Sequence, residues 1–296
     1  MSNIEMAHEL RANPSEDRSD GSEWLAPPPP PPLSFLPPPL VPPRKNLYQI
    51  LAGERMPVIG DREEVKMLLQ NRADRCGLVA LWMAGHLLNT CEVRDLEGIV
   101  DCAKARGYTV QGEMFSGADM VKLAEEVFQC HGELLHEGLT GSNKARIMQH
   151  LLAGYPVLLP YDEDFNHEPC LRKGHRAHWA VVSGVLLGLK CGLPKDFYEE
   201  DPDTPRLFHR RVSAPEASYP ENCVVETHLL AKQGKSLKYQ LWQYELVHQS
   251  NVQLREFSPK RECDGTVYMV PDGGVESGLC GAVVLLQPLS QEQNKS

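Results

Sequence analysis

The sequence predicts an α+β fold in which one buried helix packs against an antiparallel sheet. Helical periodicity dominates the first half of the folded chain, and short apolar runs of strand length dominate the second half. Helices grouped before strands are typical of α+β architectures. Between residues 76 and 88 the chain is apolar on almost every side, and this stretch is the candidate central helix.

The first 46 residues are predicted to be a disordered tail, and residues 47–296 the folded domain. Residues 1–24 carry six acids against two arginines and offer few apolar side chains to bury. Residues 27–43 read PPPPPPLSFLPPPLVPP and hold 11 of the chain's 24 prolines, which favours polyproline II. This tract is either a stiff spacer or a ligand for an aromatic groove of the SH3, WW, EVH1 or profilin type. The apolar residues between the proline blocks favour recognition.

The central helix is predicted from the string CGLVALWMAGHLL at residues 76–88, in which only His86 is clearly polar after the opening Cys-Gly. A helix that is apolar all round is buried in a core or a membrane, and this run is shorter than the ~20 residues that a membrane span needs. Cys76 is expected at its first position. Unpaired N–H groups and the helix dipole favour an anion there, so the thiol is expected to shift toward thiolate. The alternative is a buried structural cysteine.

Apolar spacing predicts four further helices, at residues 61–70, 93–103, 118–130 and 143–153. A short strand is expected at residues 108–110.

The second half is predicted to supply the sheet. Strands are expected at residues 156–161, 178–187, 252–257, 266–270 and 282–286, with a hairpin formed by 224–230 and 238–241. A short helix is expected at 242–248. The stretch 192–222, rich in proline and acids, is interpreted as a long loop or insertion.

Composition restricts the classes of partner. The net charge of −10 argues against nucleic acid or an anionic membrane as the main partner. The nine cysteines are scattered without a CxxC pair, and the first 20 residues lack the apolar core of a secretory signal. Reduced thiols in a cytosolic or nuclear protein fit this pattern. A cytoplasmic location is predicted, without a cofactor.

A candidate catalytic pair combines Cys76 with His178, which opens the apolar run HWAVVSGVLL. A cysteine nucleophile needs a base within hydrogen-bond reach, and imidazole suits neutral pH. A cysteine on a buried helix followed about 100 residues later by a histidine on a strand is the layout of papain-like cysteine hydrolases. Gln70, six residues before Cys76, is the candidate donor to the developing oxyanion.

The histidine-rich stretch around His178 allows a second interpretation. His167, Cys170, His175 and His178 have the spacing H-x2-C-x4-H-x2-H, which offers nitrogen and sulfur ligands to zinc. The chain lacks the closely spaced CxxC pairs that structural zinc sites usually contain. The alternative for His167, Cys170 and His175 is therefore a solvated loop.

Four strings carry a resemblance to a known family: CGLVALWMAG, GHRAHWAVVSGVLLG at 174–188, AKQGKSLKYQLWQY at 231–244 and GLCGAVVLL at 278–286. Together with the proline-rich N-terminus they resemble the actin maturation protease family, which is similar in turn to papain-like peptidases of the bacteriocin-processing type. The resemblance implies a papain-like cysteine peptidase fold. It also implies a cytosolic aminopeptidase that removes the N-terminal acetylated Met or Cys residue of actin, with the proline-rich segment engaging profilin.

Carried over residue by residue, the resemblance places the nucleophile at Cys76 and the base at His178. Bacteriocin-type relatives have an Asp on the next strand, where this chain reads LLAKQGKS, so Gln233 is the nearest side chain that could orient the imidazole. The passage from VKMLLQ to NRADRCG is also shorter than the resemblance implies. A catalytically inactive papain-like scaffold that binds actin or profilin is therefore the alternative function.

Overall fold

The computed structural model describes residues 48–52, 75–88, 94–193, 196–211, 221–235 and 239–289. The predicted tail, the predicted helix at 61–70 and Gln70 lie outside these ranges. Within them the central element is a ten-stranded sheet in the order β2-β10-β3-β5-β1-β7-β6, to which β4 adds beside β3, and β8 and β9 add beside β5. Its strands are β1 Tyr48–Ala52, β2 Cys130–Leu135, β3 Val157–Glu163, β4 Pro169–Cys170, β5 Ala177–Leu189, β6 Tyr198–Glu200, β7 Leu207–Arg210, β8 Val224–Gln233, β9 Gln240–Gln243 and β10 Val283–Pro288.

Seven helices lie in the described ranges, and they cover both faces of the sheet. They are α1 Cys76–Leu87, α2 Leu96–Ala105, α3 Gly117–Phe128, α4 Ser142–Leu152, α5 Tyr244–Asn251, α6 Pro259–Glu262 and α7 Gly274–Leu279. Among the strands of these ranges every pair is antiparallel except β1 with β7, which are parallel. The predicted α+β class with an antiparallel sheet and a central helix is confirmed.

Helix α1 is buried on every face, as its composition requires. It joins α2 and α3 in one apolar cluster with Trp179 and Val181 of β5. The opposite face of β5, including Ala180 and Val182, packs with α4 and α5 in a second cluster. Since successive side chains of a strand point to opposite faces, β5 connects the two cores, and all 13 of its residues are buried.

The two glycines of α1 lie so close to neighbouring side chains that a Cβ would not fit. A Cβ at Gly85 would lie 2.4 Å from the Phe128 ring, and a Cβ at Gly77 would lie 2.8 Å from Met114. The glycine that follows Cys76 therefore allows the start of α1 to lie against Met114.

Three predicted strands are wrong, because their backbone groups bind elsewhere. At 108–110 and 266–270 a buried carboxylate replaces a neighbouring strand: Glu113 accepts from the main-chain N–H of Val110 and of Met269, at 3.1 Å each. At 252–257 the N–H groups of Arg255 and Glu256 bind the carbonyl of Lys173.

The stretch 192–222 is more regular than predicted. It contains β6 and β7, and β7 reaches the sheet through β1. A disulfide between Cys191 and Cys223, with Cα atoms 5.7 Å apart, closes the stretch where β5 ends and β8 begins. The expectation that all thiols are reduced is therefore wrong for this pair, and six described cysteines are free.

No helix in the described ranges has the length and apolarity needed to cross a membrane.

Candidate active site

Cys76 is the first residue of α1, as the sequence predicts. It lines a cavity of about 10 Å³ with residues from four other parts of the chain: Glu113, Met114, Phe115, Ala177, Trp179, Arg261 and Leu279. This volume holds about one water molecule. Cys76 is thus partly buried, and both polar groups and aromatic rings line the cavity beside it.

Burial reverses the expected thiolate character. Loss of solvent raises the pKa of the Cys76 thiol above its ordinary value, and this effect outweighs a hydrogen bond from the main chain of Trp179 and the positive charges of Arg261 and Lys235, which lower it. The helix N-terminus alone therefore does not ionise the thiol, and the structure holds a neutral Cys76.

His178 lies on β5 opposite Tyr161 of β3, with the two ring centroids 6.0 Å apart. The residue is 2% exposed, and burial lowers the pKa of its imidazole to about 3. The Glu163 carboxylate opposes this shift, whereas the charge of Lys235 adds to it. The imidazole is therefore neutral at physiological pH.

Cys76 and His178 both lie next to Trp179 at the start of β5. The thiol's hydrogen bond is to the main chain of Trp179, the residue after His178. The Trp179 indole points toward α1 and donates to the carbonyl of Met114 at 2.8 Å, so the His178 side chain faces the other way. The structure thus brings the two predicted residues to the same end of β5 and leaves Nε2 of His178 without a hydrogen-bond partner among the described residues.

Glu163, at the end of β3, is the residue that sequence reasoning missed. Its carboxylate is 3.9 Å from Nε2 of His178, 2.8 Å from Nδ1 of His167 and 3.4 Å from the Arg176 guanidinium, and it also pairs with Lys235. Burial alone would raise the pKa of the Glu163 carboxyl, but its charge interaction with His178 and the bonds from Lys235 and His167 lower this pKa to about 2. The available signal was the pair Asp162-Glu163 closing the apolar run at 156–161.

Gln233, predicted to orient the imidazole, is fully buried at the end of β8. Its side-chain oxygen accepts from the main-chain N–H of Lys235 at 2.6 Å and so closes the turn after the strand. The structure therefore gives this oxygen a partner other than His178.

The histidines of the alternative zinc site are separated by their carboxylate partners. His167 pairs with Glu163, whereas His175 pairs with Glu256 at 2.8 Å. In the described part of the chain no group of three His, Cys, Asp or Glu side chains is arranged to hold a metal ion.

A family model and individual relatives of known name both identify the same family. Residues 65–186, which include Cys76 and His178, match the family model described as "Actin maturation protease-like, C-terminal domain". A protein named actin maturation protease in Xenopus tropicalis is 49% identical over 275 residues, covering 84% of this chain and 89% of that protein. The chain belongs to the actin maturation protease family. It is accordingly a protease, and the predicted family resemblance is confirmed.

Other members of the actin maturation protease family show how far the similarity extends. The Mus musculus protein is 57% identical over 217 residues, covering 72% of this chain and 60% of that protein. The Drosophila melanogaster protein is 30% identical over 207 residues, covering 69% of this chain and 61% of that protein.

A weaker likeness is to a solved structure described as a putative C39-like peptidase from Bacillus anthracis. The TM-score is 0.38 at 10% identity, covering 74% of this chain and 91% of that one. A likeness of this size does not establish a shared fold.

Proposed function

We propose that this protein is a cytosolic cysteine aminopeptidase that removes the N-terminal acetylated Met or Cys residue of actin. The observation that carries the proposal is the 49% identity to a relative named actin maturation protease over 89% of its length, in a chain that begins its most buried helix with a cysteine.

In the proposed mechanism Cys76 is the nucleophile and His178 the base. His178 takes the thiol proton, and the thiolate attacks the carbonyl carbon of the first residue. The N–H of Cys76, with Gln70, binds the oxyanion. As the C–N bond breaks, the His178 imidazolium returns its proton to the leaving amine, and water then hydrolyses the thioester.

Ionisation of the pair requires a change around it. Burial favours the neutral form of both groups, and the cavity beside Cys76 has room for about one water. We therefore propose that substrate entry opens this cavity and brings the imidazole to the sulfur, since catalytic hydrogen bonds often form only in the substrate complex.

Mass spectrometry of the actin N-terminus tests the function. Wild-type protein should trim the first residue, and Cys76→Ala should abolish trimming with the fold intact, because alanine suits a helix start and removes one sulfur atom. His178→Ala should lower the rate by at least ~10²-fold, the scale of a lost general base. Trimming by Cys76→Ala at the wild-type rate would sink the cysteine mechanism.

The alternative function, an inactive scaffold that binds actin or profilin, is favoured by one observation. Cys76 and His178 are both neutral in this structure, and the thiol is bound to a main-chain group rather than to the imidazole. A thiol-reactive electrophile separates the two functions, because only a thiolate reacts fast. Fast modification at Cys76 supports the enzyme, and reaction no faster than at the exposed Cys263 supports the scaffold.

A further inference from the structure

We propose that Glu163 orients His178 and stabilises its imidazolium form during the reaction, the role that the sequence assigned to Gln233. The inference deepens the proposed cysteine mechanism and rests on it. It makes Glu163 a positioning residue, because the carboxylate would act through the histidine rather than touch the substrate.

The register of β3 and β5 places the carboxylate beside the ring. Tyr161 pairs with His178 across the two strands, and Glu163 follows two residues later on the same face of β3. The side chains of Glu163 and His178 are 5% and 3% exposed, so the pair is shielded from water. At 3.9 Å the carboxylate oxygen and Nε2 are close enough for an ion pair once the ring gains a second proton.

The orientation of the His178 ring leaves its second nitrogen to take part in proton exchange. With Nε2 turned toward Glu163, Nδ1 is the nitrogen left to exchange a proton with Cys76 once substrate entry has brought the imidazole to the sulfur, as the proposed mechanism requires. A carboxylate that binds one nitrogen of a histidine fixes the tautomer and supports the positive charge that forms when the other nitrogen takes a proton.

Glu163 carries the charge that this role needs. Although burial raises the pKa of its carboxyl, the charge of His178 and the bonds from Lys235 and His167 lower this pKa to about 2, so Glu163 is ionised at neutral pH. Of the charged groups, Glu163 has the largest influence on the imidazole of His178, whereas its effect on the Cys76 thiol is smaller than those of Arg261 and Lys235. Glu163 therefore favours the protonated imidazole, and it opposes the Cys76 thiolate less than Arg261 or Lys235 supports it.

Gln233 fits the role less well for two reasons. Its oxygen already accepts from the N–H of Lys235. An amide is also neutral, so it orients a ring but contributes no counter-charge to an imidazolium.

Two substitutions at Glu163 separate charge from packing. Glu163→Gln keeps the size and removes the charge, whereas Glu163→Asp keeps the charge and shortens the side chain. Both should fold, because Lys235 and Arg176 are 28% and 31% exposed and can turn to water. The readout is the rate at which iodoacetamide alkylates Cys76, measured by peptide mass spectrometry across pH.

Cys76 should be alkylated fastest in the wild-type protein, more slowly in Glu163→Asp and most slowly in Glu163→Gln. Loss of the carboxylate should slow alkylation of Cys76 at neutral pH by ~10-fold, the effect of one pKa unit, because the thiol proton passes to the imidazole that Glu163 supports. If Glu163 acted on the thiol alone, its loss would speed alkylation, since its charge raises the pKa of Cys76. A packing role predicts the opposite order, because Gln fills the space of Glu and Asp does not. Gln reacting as fast as Asp, or as fast as wild type, would overturn the proposal.

An NMR titration of the His178 ring in a Cys76→Ala background tests the charge directly and needs no activity. Glu163→Gln should lower the titration midpoint of His178, and Lys235→Gln should raise it, because their charges act on the ring in opposite directions. Glu256→Gln is the matched control, since Glu256 pairs with His175 outside the site and is 48% exposed. Shifts of the same sign in the first two variants, or an equal shift in the control, would refute the role.

The outcomes also separate this inference from the proposed function. If wild-type protein leaves actin untrimmed while His178 and Cys76 respond to Glu163 as expected, the actin proposal fails and the role of Glu163 stands. If actin is trimmed and neither group responds to Glu163, the role fails and the function stands.

Discussion

Burial and local charge act in opposite directions on the Cys76 thiol. Enclosure raises its pKa, and the cation that most lowers it is Arg261, which lines the same small cavity. The Arg261 guanidinium stacks over the rings of Phe115 and Tyr268, 5.2 and 5.7 Å from their centroids. The stacking holds the positive charge beside the sulfur, so the ionisation of Cys76 should depend on Arg261.

Replacing Arg261 by Gln should therefore shift Cys76 reactivity to higher pH. Removing the positive charge destabilises the thiolate and raises the pKa of the thiol, so alkylation at neutral pH slows. The pH dependence of Cys76 alkylation measures this shift. Lys260→Gln removes an exposed neighbouring charge and serves as the control. Equal profiles for Arg261→Gln and Lys260→Gln would show that the guanidinium only packs.

At the scale of elements, a buried carboxylate organises the loop that leads into His178. Asp162 of β3 accepts from the main-chain N–H of Arg172, Gly174 and Arg176, at 2.9, 2.8 and 2.9 Å, and from the side chain of Gln253 at 2.7 Å. These bonds fix the backbone between β4 and β5. The position of His178 at the start of β5 therefore depends on a side chain that binds the loop before it.

Asp162→Asn should destabilise the protein by about 1–3 kcal/mol, because the amide group brings N–H donors against N–H groups that then lose an acceptor. Urea unfolding measures the free energy, and limited proteolysis between residues 171 and 176 reports loosening of the loop. Asp164→Asn is the matched control, since Asp164 accepts from the N–H of Asn166 and Glu168 at an exposed turn. A loss no larger than that of the control would contradict this function of Asp162.

The elements that the sequence predicted well are those whose own residues decide their conformation. Helix α1 was predictable because an all-apolar run of its length must be buried, and β5 because 13 buried residues leave a long apolar signal. The strand expected at 266–270 failed because its N–H partner, Glu113, is 156 residues away from Met269. No local pattern reports a partner at that separation.

The same distinction applies to the candidate site. Cys76 and His178 could be predicted from residue type and position, because nucleophile and base are chemically distinctive. Glu163 could not, since its contact with His178 depends on the pairing of Tyr161 with His178 across β3 and β5. A shift of that register by one residue would turn Glu163 to the other face of the sheet.

At the scale of the whole molecule, net charge and local charge differ. The chain carries −10 overall, yet the charged groups that lower the pKa of Cys76 are the cations Arg261 and Lys235. Long-range attraction is thus no explanation for the capture of an acidic partner such as the proposed actin N-terminus. Capture of such a substrate therefore needs a separate binding segment. The proline-rich tract at 27–43, outside the described residues, is the candidate for that segment.

Deleting residues 25–43 should then separate chemistry from delivery. A short actin N-terminal peptide should be trimmed at the wild-type rate, because the predicted polyproline tract donates few backbone hydrogen bonds and lies outside every predicted helix and strand. Actin carried by profilin should be trimmed more slowly, since a tethered substrate experiences a local concentration of ~mM for a short flexible link. That defect should shrink as the actin concentration rises. Equal slowing of peptide and protein would mean that the tract supports the fold, and no slowing of either would leave it a spacer and remove profilin as a partner.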